Sequence, residues 1–191
     1  MDTGVVLVVV TAAVVLLAVV LVVNAVSAYN RLVRLQAQVR ASWAQVDVVL
    51  KRRHSLIPNL VETVRGYAGH EWTTLDALTA ARTAAVGAAG GADSRAGAEE
   101  ALTSALGRVY AVAEAYPQLR ASANFVELQR ELAATEDKIA YARQFYNTAV
   151  QALNTAVESL PTSIVAGLAG FRAQPYLEAG GDERADVPVR F

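Results

Sequence analysis

Eleven polar side chains lie on or beside the apolar stripes of this chain, and their types could support chemistry. They are carboxylates, guanidinium groups and amides: Asn30, Asn59, Glu62, Glu71, Arg82, Glu114, Asn124, Glu136, Arg143, Asn147 and Asn154. One interpretation is structural, because a buried polar group left unpaired costs about 1–3 kcal/mol and a paired network fixes the register of helices. The other interpretation is an acid–base or metal site inside a helical bundle.

Ligand spacing favours the structural interpretation. Di-iron bundles use Glu-x-x-His motifs, but neither His54 nor His70 stands three residues after a glutamate. His70-Glu71 is not followed by a second histidine at the metalloprotease spacing, and the chain has no cysteine to ligate a metal or form a disulfide. Neither a Gly-x-Ser-x-Gly elbow nor a Gly-x-Gly-x-x-Gly loop occurs. We therefore predict no catalytic residue, no metal, no cofactor and no enzymatic activity.

The element that must position these groups begins near the N-terminus. Residues 4–23 read GVVLVVVTAAVVLLAVVLVV, with no charge and one hydroxyl, Thr11. At about 1.5 Å per residue, roughly 20 such residues cross a hydrocarbon core of about 30 Å. A cleaved signal peptide is the main alternative, since Val26-Ser27-Ala28 resembles a cleavage site, but the preceding residues carry no basic group. We predict a retained transmembrane anchor over 4–26.

The charges that flank this run predict its direction. Only Asp2 precedes it, and six basic residues follow it, which we name the basic collar: Arg31, Arg34, Arg40, Lys51, Arg52 and Arg53. Because Lys and Arg favour the cytoplasmic side, residues 1–3 are expected outside and the rest in the cytoplasm of a single-pass plasma-membrane protein. The collar is a candidate lipid-facing surface, although it is also explained as a topology signal. The net charge of −1 gives no basic field for nucleic acid.

Helical periodicity dominates the remaining sequence. Apolar residues at steps of three and four predict a helix that continues the anchor to about Leu50, and Pro58 predicts a kink or restart within 55–59. A second periodic stretch covers 60–82. The glycine-rich segment 87–97 predicts a flexible connector, and a third helix is expected from about Glu99 to Ala115.

The fourth helix has the most regular pattern. From Phe125 to Leu160 apolar residues keep a seven-residue repeat, which indicates a long helix in a bundle or coiled coil, ended by Pro161. Another short helix is predicted over 162–171, and the tail over 174–191 is expected to be flexible. The fold class predicted is all-α, with the anchor followed by an antiparallel, up-and-down bundle of four-helix type over 27–173.

Three stretches resemble the LemA family of bacterial membrane proteins. They are VLKRRHSLIPNLVETVRGYAGHE (49–71), LTAAR ending at Arg82, and VAEAYPQLRASANFVELQRELAATEDKIAYARQFYNTAVQALN (112–154); the closing VPVRF is similar too. The resemblance implies a single span, an outside N-terminus and a helical cytoplasmic domain. It brings no catalytic residue, and one relative's association with magnetosome membrane formation implies a membrane-organising role in some lineages.

The function predicted is therefore a membrane-anchored helical scaffold that binds lipid through its anchor and self-associates or docks a protein partner. A membrane-shaping protein acting on anionic lipid is the first alternative. A sensor or enzyme with a polar site inside the bundle is the second.

Overall fold

The computed structural model describes residues 3–88 and 92–177, which form six helices and, within those ranges, no strand. The helices are α1 (Thr3–Tyr67), α2 (Trp72–Gly87), α3 (Ala92–Glu114), α4 (Pro117–Arg120), α5 (Ala123–Glu158) and α6 (Thr162–Ala169). The predicted all-α class with a long apolar N-terminal helix is confirmed. The described residues belong to two compact units. Unit 1 takes those of Met1–Ala41 and Thr148–Gln174, and unit 2 takes those of Ser42–Asn147 and Pro175–Phe191.

The N-terminal part of α1 has the surface of a membrane span. Its large apolar side chains from Leu7 to Val23 are each 47–67% exposed, so this segment is not the core helix of a soluble unit. Within the described ranges, one helix is long and apolar enough to cross a membrane, and it is α1. A helix satisfies its own backbone hydrogen bonds, as lipid requires.

Unit 1 also has a small buried core that follows the span. Leu32 and Val39 of α1 are buried, and so are Leu153 of α5 and Ala166 of α6. Leu32 and Val39 are seven residues apart, and Ala149, Leu153 and Ala156 are also buried at steps of four and three, so α1 and α5 each present one face inward.

Unit 2 is a helical bundle. Its core draws one face each from α1, α2, α3 and α5, with Leu119 of the one-turn α4 beside them. Leu60, Leu78, Leu102 and Phe125 are almost completely inaccessible to solvent. The short connections between successive helices suit an up-and-down arrangement.

The predicted restart at Pro58 is wrong, because α1 continues through this residue to Tyr67. Proline lacks the N–H that would bond the carbonyl four residues earlier, which here is that of His54. Arg82 Nε of α2 donates to that carbonyl oxygen at 2.7 Å. A tertiary hydrogen bond thus replaces the missing backbone bond and satisfies the freed acceptor.

Two other boundaries differ from the prediction. The stretch 60–82 is broken at 68–71, beside Gly66 and Gly69, where the lack of a side chain weakens a helix. The predicted connector 87–97 is shorter, because α3 already begins at Ala92. Arg95, the fourth residue of this helix, forms an ion pair with Asp47, and such tertiary contacts outweigh the low helix propensity of Gly97.

The seven-residue repeat of the fourth helix lies mostly on a buried face. Phe125, Leu132, Ile139 and Tyr146 are buried in unit 2, and the repeat continues through Leu153 in unit 1. Its last member, Leu160, is instead exposed, because α5 ends at Glu158. The segment therefore leaves one large apolar side chain outside the packed face.

The pairing of Arg82 with the carbonyl freed by Pro58 gives a test by double-mutant cycle. We expect Arg82→Met to lower the free energy of unfolding by about 1–3 kcal/mol, because a buried acceptor loses its donor. In a Pro58→Ala background the residue-58 N–H can serve the same carbonyl, so the cost should be clearly smaller. Denaturant unfolding in detergent, followed by circular dichroism, measures the coupling. Equal costs in the two backgrounds would contradict this account of α1.

Candidate functional site

The most enclosed polar cluster of unit 2 is built around Arg53. This residue is 3% exposed. Its Nη1 lies 3.5 Å from Glu99 Oε2 and 3.4 Å from Glu136 Oε2, and its Nη2 donates to Thr103 Oγ1 at 2.6 Å. Its Nε is buried without a hydrogen-bond acceptor. Because a buried charge is costly unless paired, α3 must bring Glu99 to this guanidinium for α1 to pack.

His54, the next residue, joins the same carboxylate. Its Nε2 lies 2.7 Å from Glu99 Oε1. A pocket of about 190 Å³ opens beside this pair, and Asp47, Lys51, Arg82 and Arg95 contribute its other charged walls. At this distance the His54 imidazole and the Glu99 carboxylate can be joined by one hydrogen bond.

The Asp47 side of the pocket is an ion-pair network. Asp47 Oδ2 accepts from Lys51 Nζ at 2.7 Å, and Oδ1 accepts from Arg95 Nη1 at 2.9 Å. The hydrogen bond from Lys51 is the main cause that holds the pKa of Asp47 below its usual value, with Arg95 adding to it and burial opposing it. The Arg95 guanidinium also lies over Trp43, 5.3 Å from the ring centroid, and Trp43 packs against Tyr146.

Sequence reasoning missed Arg53, His54 and Glu99 as members of a buried cluster. A signal was available, since Arg53 and His54 stand three and four residues after the buried Leu50 and so fall on the same face of α1. Four consecutive basic residues, 51–54, cannot all point away from the core of a packed helix. The sequence did not indicate which acidic residue would pair with them, because Glu99 lies 45 residues after His54.

The eleven polar residues predicted as a network are not brought together as one. Six are exposed: Asn30, Asn59, Glu62, Glu114, Asn124 and Glu136. Five are partly buried: Glu71, Arg82, Arg143, Asn147 and Asn154. Glu136 nevertheless contacts Arg53, and Arg82 bonds to the His54 carbonyl, so these two belong to the cluster found here.

Two of the predicted asparagines bind backbone. In unit 2 the Asn147 amide accepts from Leu177 N at 2.8 Å and donates to Leu177 O at 2.9 Å. In unit 1 the Asn154 amide makes the same two bonds to Gln174. An amide suits this role because it carries a donor and an acceptor. The start of the tail predicted as flexible is thus hydrogen-bonded at 174 and 177, and residues 178–191, with VPVRF, lie outside the described residues.

A further predicted residue, Glu71, has a partner on another element. Its Oε1 accepts from the Tyr116 hydroxyl at 3.0 Å, and this hydrogen bond raises the pKa of the Tyr116 hydroxyl. The bond joins the 68–71 turn to the residue before α4, so Glu71 has a structural partner in unit 2.

The basic collar divides into three groups. Arg31, Arg34 and Arg40 are exposed on α1 in unit 1. Lys51 and Arg52 are exposed but ion-paired, with Asp47 and Glu131. Arg53 is buried, so its assignment to a lipid-facing surface is corrected: its guanidinium serves the core of unit 2.

Within residues 3–88 and 92–177, no group of three or more His, Cys, Asp or Glu side chains is placed to hold a metal ion. Ser55, the hydroxyl at the pocket, donates to the Arg52 carbonyl. The geometry thus favours a charge cluster that joins α1 to α3.

An apolar, exposed N-terminal segment and helical units define a membrane-associated all-α protein. A family model described as the LemA family matches residues 42–191, more than half of the chain. The chain belongs to the LemA family, and the resemblance is confirmed.

Curated relatives agree with that family. The chain is 25% identical to magnetosome protein MamQ 2 and to magnetosome protein MamQ 1 of Paramagnetospirillum magneticum, over 85% of this chain and 70% of each relative. It is 23% identical, with the same coverage, to magnetosome protein MamQ of Magnetospirillum gryphiswaldense. None of these names states a catalytic activity.

The buried Arg53 gives a stability prediction with a neighbouring control. Glu99→Gln should lower the free energy of unfolding by roughly 3 kcal/mol, because it leaves a buried guanidinium without its most enclosed counter-charge. Glu100→Gln, the same change at the next and exposed position, should alter it by less than about 0.5 kcal/mol. Denaturant unfolding in one detergent measures both variants, and similar small effects would contradict the role given to Glu99.

Proposed function

We propose that this LemA-family protein is a non-enzymatic, membrane-anchored helical scaffold that self-associates at the cytoplasmic face of the plasma membrane. The observation that carries the proposal is an exposed aromatic pair on α5. Tyr141 is 74% exposed and Phe145 is 53% exposed, although such side chains are usually buried. They stand four residues apart and so share one face of the helix.

The spacing around this pair favours a second helix as the occupant. Ala134, Lys138, Tyr141 and Phe145 are all exposed, and their steps of four, three and four repeat the pattern of the buried face. We name this row the outer face of α5. The same patch on a second copy can pair with it across a two-fold axis, which is the commonest symmetry of oligomers.

The membrane anchor supports this assembly. Tethering confines copies to one surface, so a contact too small to hold two free proteins together gains from a raised effective concentration. Aromatic side chains are enriched at such contacts because they bury a large area at a low entropy cost.

Self-association is measured by energy transfer between chains labelled at Ser104→Cys, an exposed position in a chain without other cysteines. Across a dilution series in vesicles, Tyr141→Ala with Phe145→Ala should raise the dissociation constant at least about tenfold, because truncating central aromatic contacts costs more than about 1 kcal/mol. Tyr67→Ala, another exposed aromatic, is the matched control and should change little. A parent protein that stays monomeric at the highest density would refute the proposal.

The proposed orientation has its own test. It is supported by Asp2 before the span and the exposed Arg31, Arg34 and Arg40 after it. In intact bacterial cells, with the outer membrane made permeable, an impermeant maleimide should label Thr3→Cys and should spare Ser104→Cys until the inner membrane is opened. The reverse pattern would place the part of the chain that follows the span outside and would overturn the orientation.

A further inference from the structure

The helix α6 of unit 1 presents an apolar face to its surroundings. Leu160 just before it and Ile164 and Leu168 within it are 77%, 60% and 87% exposed. Within the helix, Ile164 and Leu168 are four residues apart and share one side, while Thr162 and Ala166 are buried on the other. The thirteen residues from Ser159 to Phe171 carry no charge. We name Ile164 and Leu168 the α6 face.

A ring contact places the end of this segment beside the membrane span. Phe171 packs edge-on against Tyr29 of α1, with ring centroids 5.8 Å apart. Tyr29 stands six residues after Val23, the end of the apolar run, and so about 9 Å further along the helix axis. The headgroup region of a leaflet is roughly 5–8 Å deep, so in a tilted span Tyr29 lies near the level of the headgroups. Tyrosine is enriched at that depth.

The charges around the contact also suit a membrane surface. Arg31 and Arg34 are exposed on α1 just beyond Tyr29, and Arg172 is exposed directly after Phe171. Cationic side chains at this level are attracted to anionic headgroups. The nearest acidic residue before the uncharged segment is Glu158, so the acid and Arg172 stand at opposite ends of that segment in sequence.

We propose that α6 is an interfacial helix whose apolar face inserts into the leaflet at the Tyr29 end of the span. Phospholipid is the occupant that the structure favours, because the α6 face is joined to the span through the Phe171–Tyr29 contact. The two side chains of this face offer far less than the roughly 800 Å² that each partner buries in a stable protein complex. A short amphipathic helix lying in the interface plane, with its apolar face in the acyl boundary, is an established mode of membrane contact.

This inference rests on the membrane span and not on self-association through the outer face of α5. Insertion of α6 would give the chain a second attachment to the bilayer, beside the span. This attachment would hold the part of unit 1 that follows the span against the membrane surface. The two proposals can therefore fail separately.

The test uses the full-length protein, one chain per nanodisc, in phosphatidylcholine with phosphatidylglycerol. A fluorophore is attached at Ile164→Cys or Leu168→Cys, and at Gln151→Cys, an exposed position on α5 in the same unit, as the control. Quenching by a lipid nitroxide at acyl carbon 5 reports insertion, and quenching by iodide reports exposure to water. Helix content by circular dichroism confirms that each variant is folded.

The labels at 164 and 168 should be quenched several-fold more by the lipid nitroxide than the label at 151, and several-fold less by iodide. Their depth should be about 5–10 Å into the boundary between headgroups and acyl chains. Iodide quenching at 164 and 168 equal to that at 151 would overturn the proposal. Protection from both quenchers would show that the α6 face is covered by protein, and this would overturn it as well.

Discussion

The continuity of α1 is the constraint on which the other elements depend. This one helix supplies the apolar segment of unit 1 and part of the core of unit 2, so its backbone must stay hydrogen-bonded where Pro58 removes a donor. Arg82 of α2 supplies the replacement, at the residue whose imidazole binds Glu99 of α3. The proline thus couples the integrity of α1 to the docking of two other helices. The bundle that α1 helps to build thus supplies the hydrogen bond that its own backbone lacks at Pro58.

Much of the architecture could be predicted from local pattern, because apolar spacing reports which face of a helix is buried. The span, the seven-residue repeat of α5 and the all-α class all follow from such spacing. The continuation through Pro58 could not be predicted, since its replacement donor lies 28 residues away in sequence from the acceptor. The early start of α3 depends in the same way on Asp47 meeting Arg95. At these two places contacts between residues distant in sequence determine the helix bounds, and local helix propensity does not.

The polar residues were harder to predict than the apolar ones for a physical reason. A polar side chain near a stripe can be exposed, bind backbone or pair with a distant charge, and its own helix does not distinguish these. Asn147 binds the backbone of Leu177, Glu62 faces solvent, and Glu136 reaches Arg53 although half exposed. Arg53 was predicted in the basic collar and not in a buried cluster, because a basic run next to a membrane span is already explained by topology.

The outer face of α5 and the α6 face differ in the kind of partner that can cover them. The outer face of α5 lies on a long, regular helix whose repeat a second helix can match along several turns. The α6 face is short and flanked by glycine and proline, so it offers no extended register to a protein partner, whereas a lipid surface requires none. Anchoring lowers the entropic cost of both contacts because the chain already lies at the bilayer. Under the two proposals, weak apolar contacts of two kinds act together with the span to define the arrangement of the chain on the membrane.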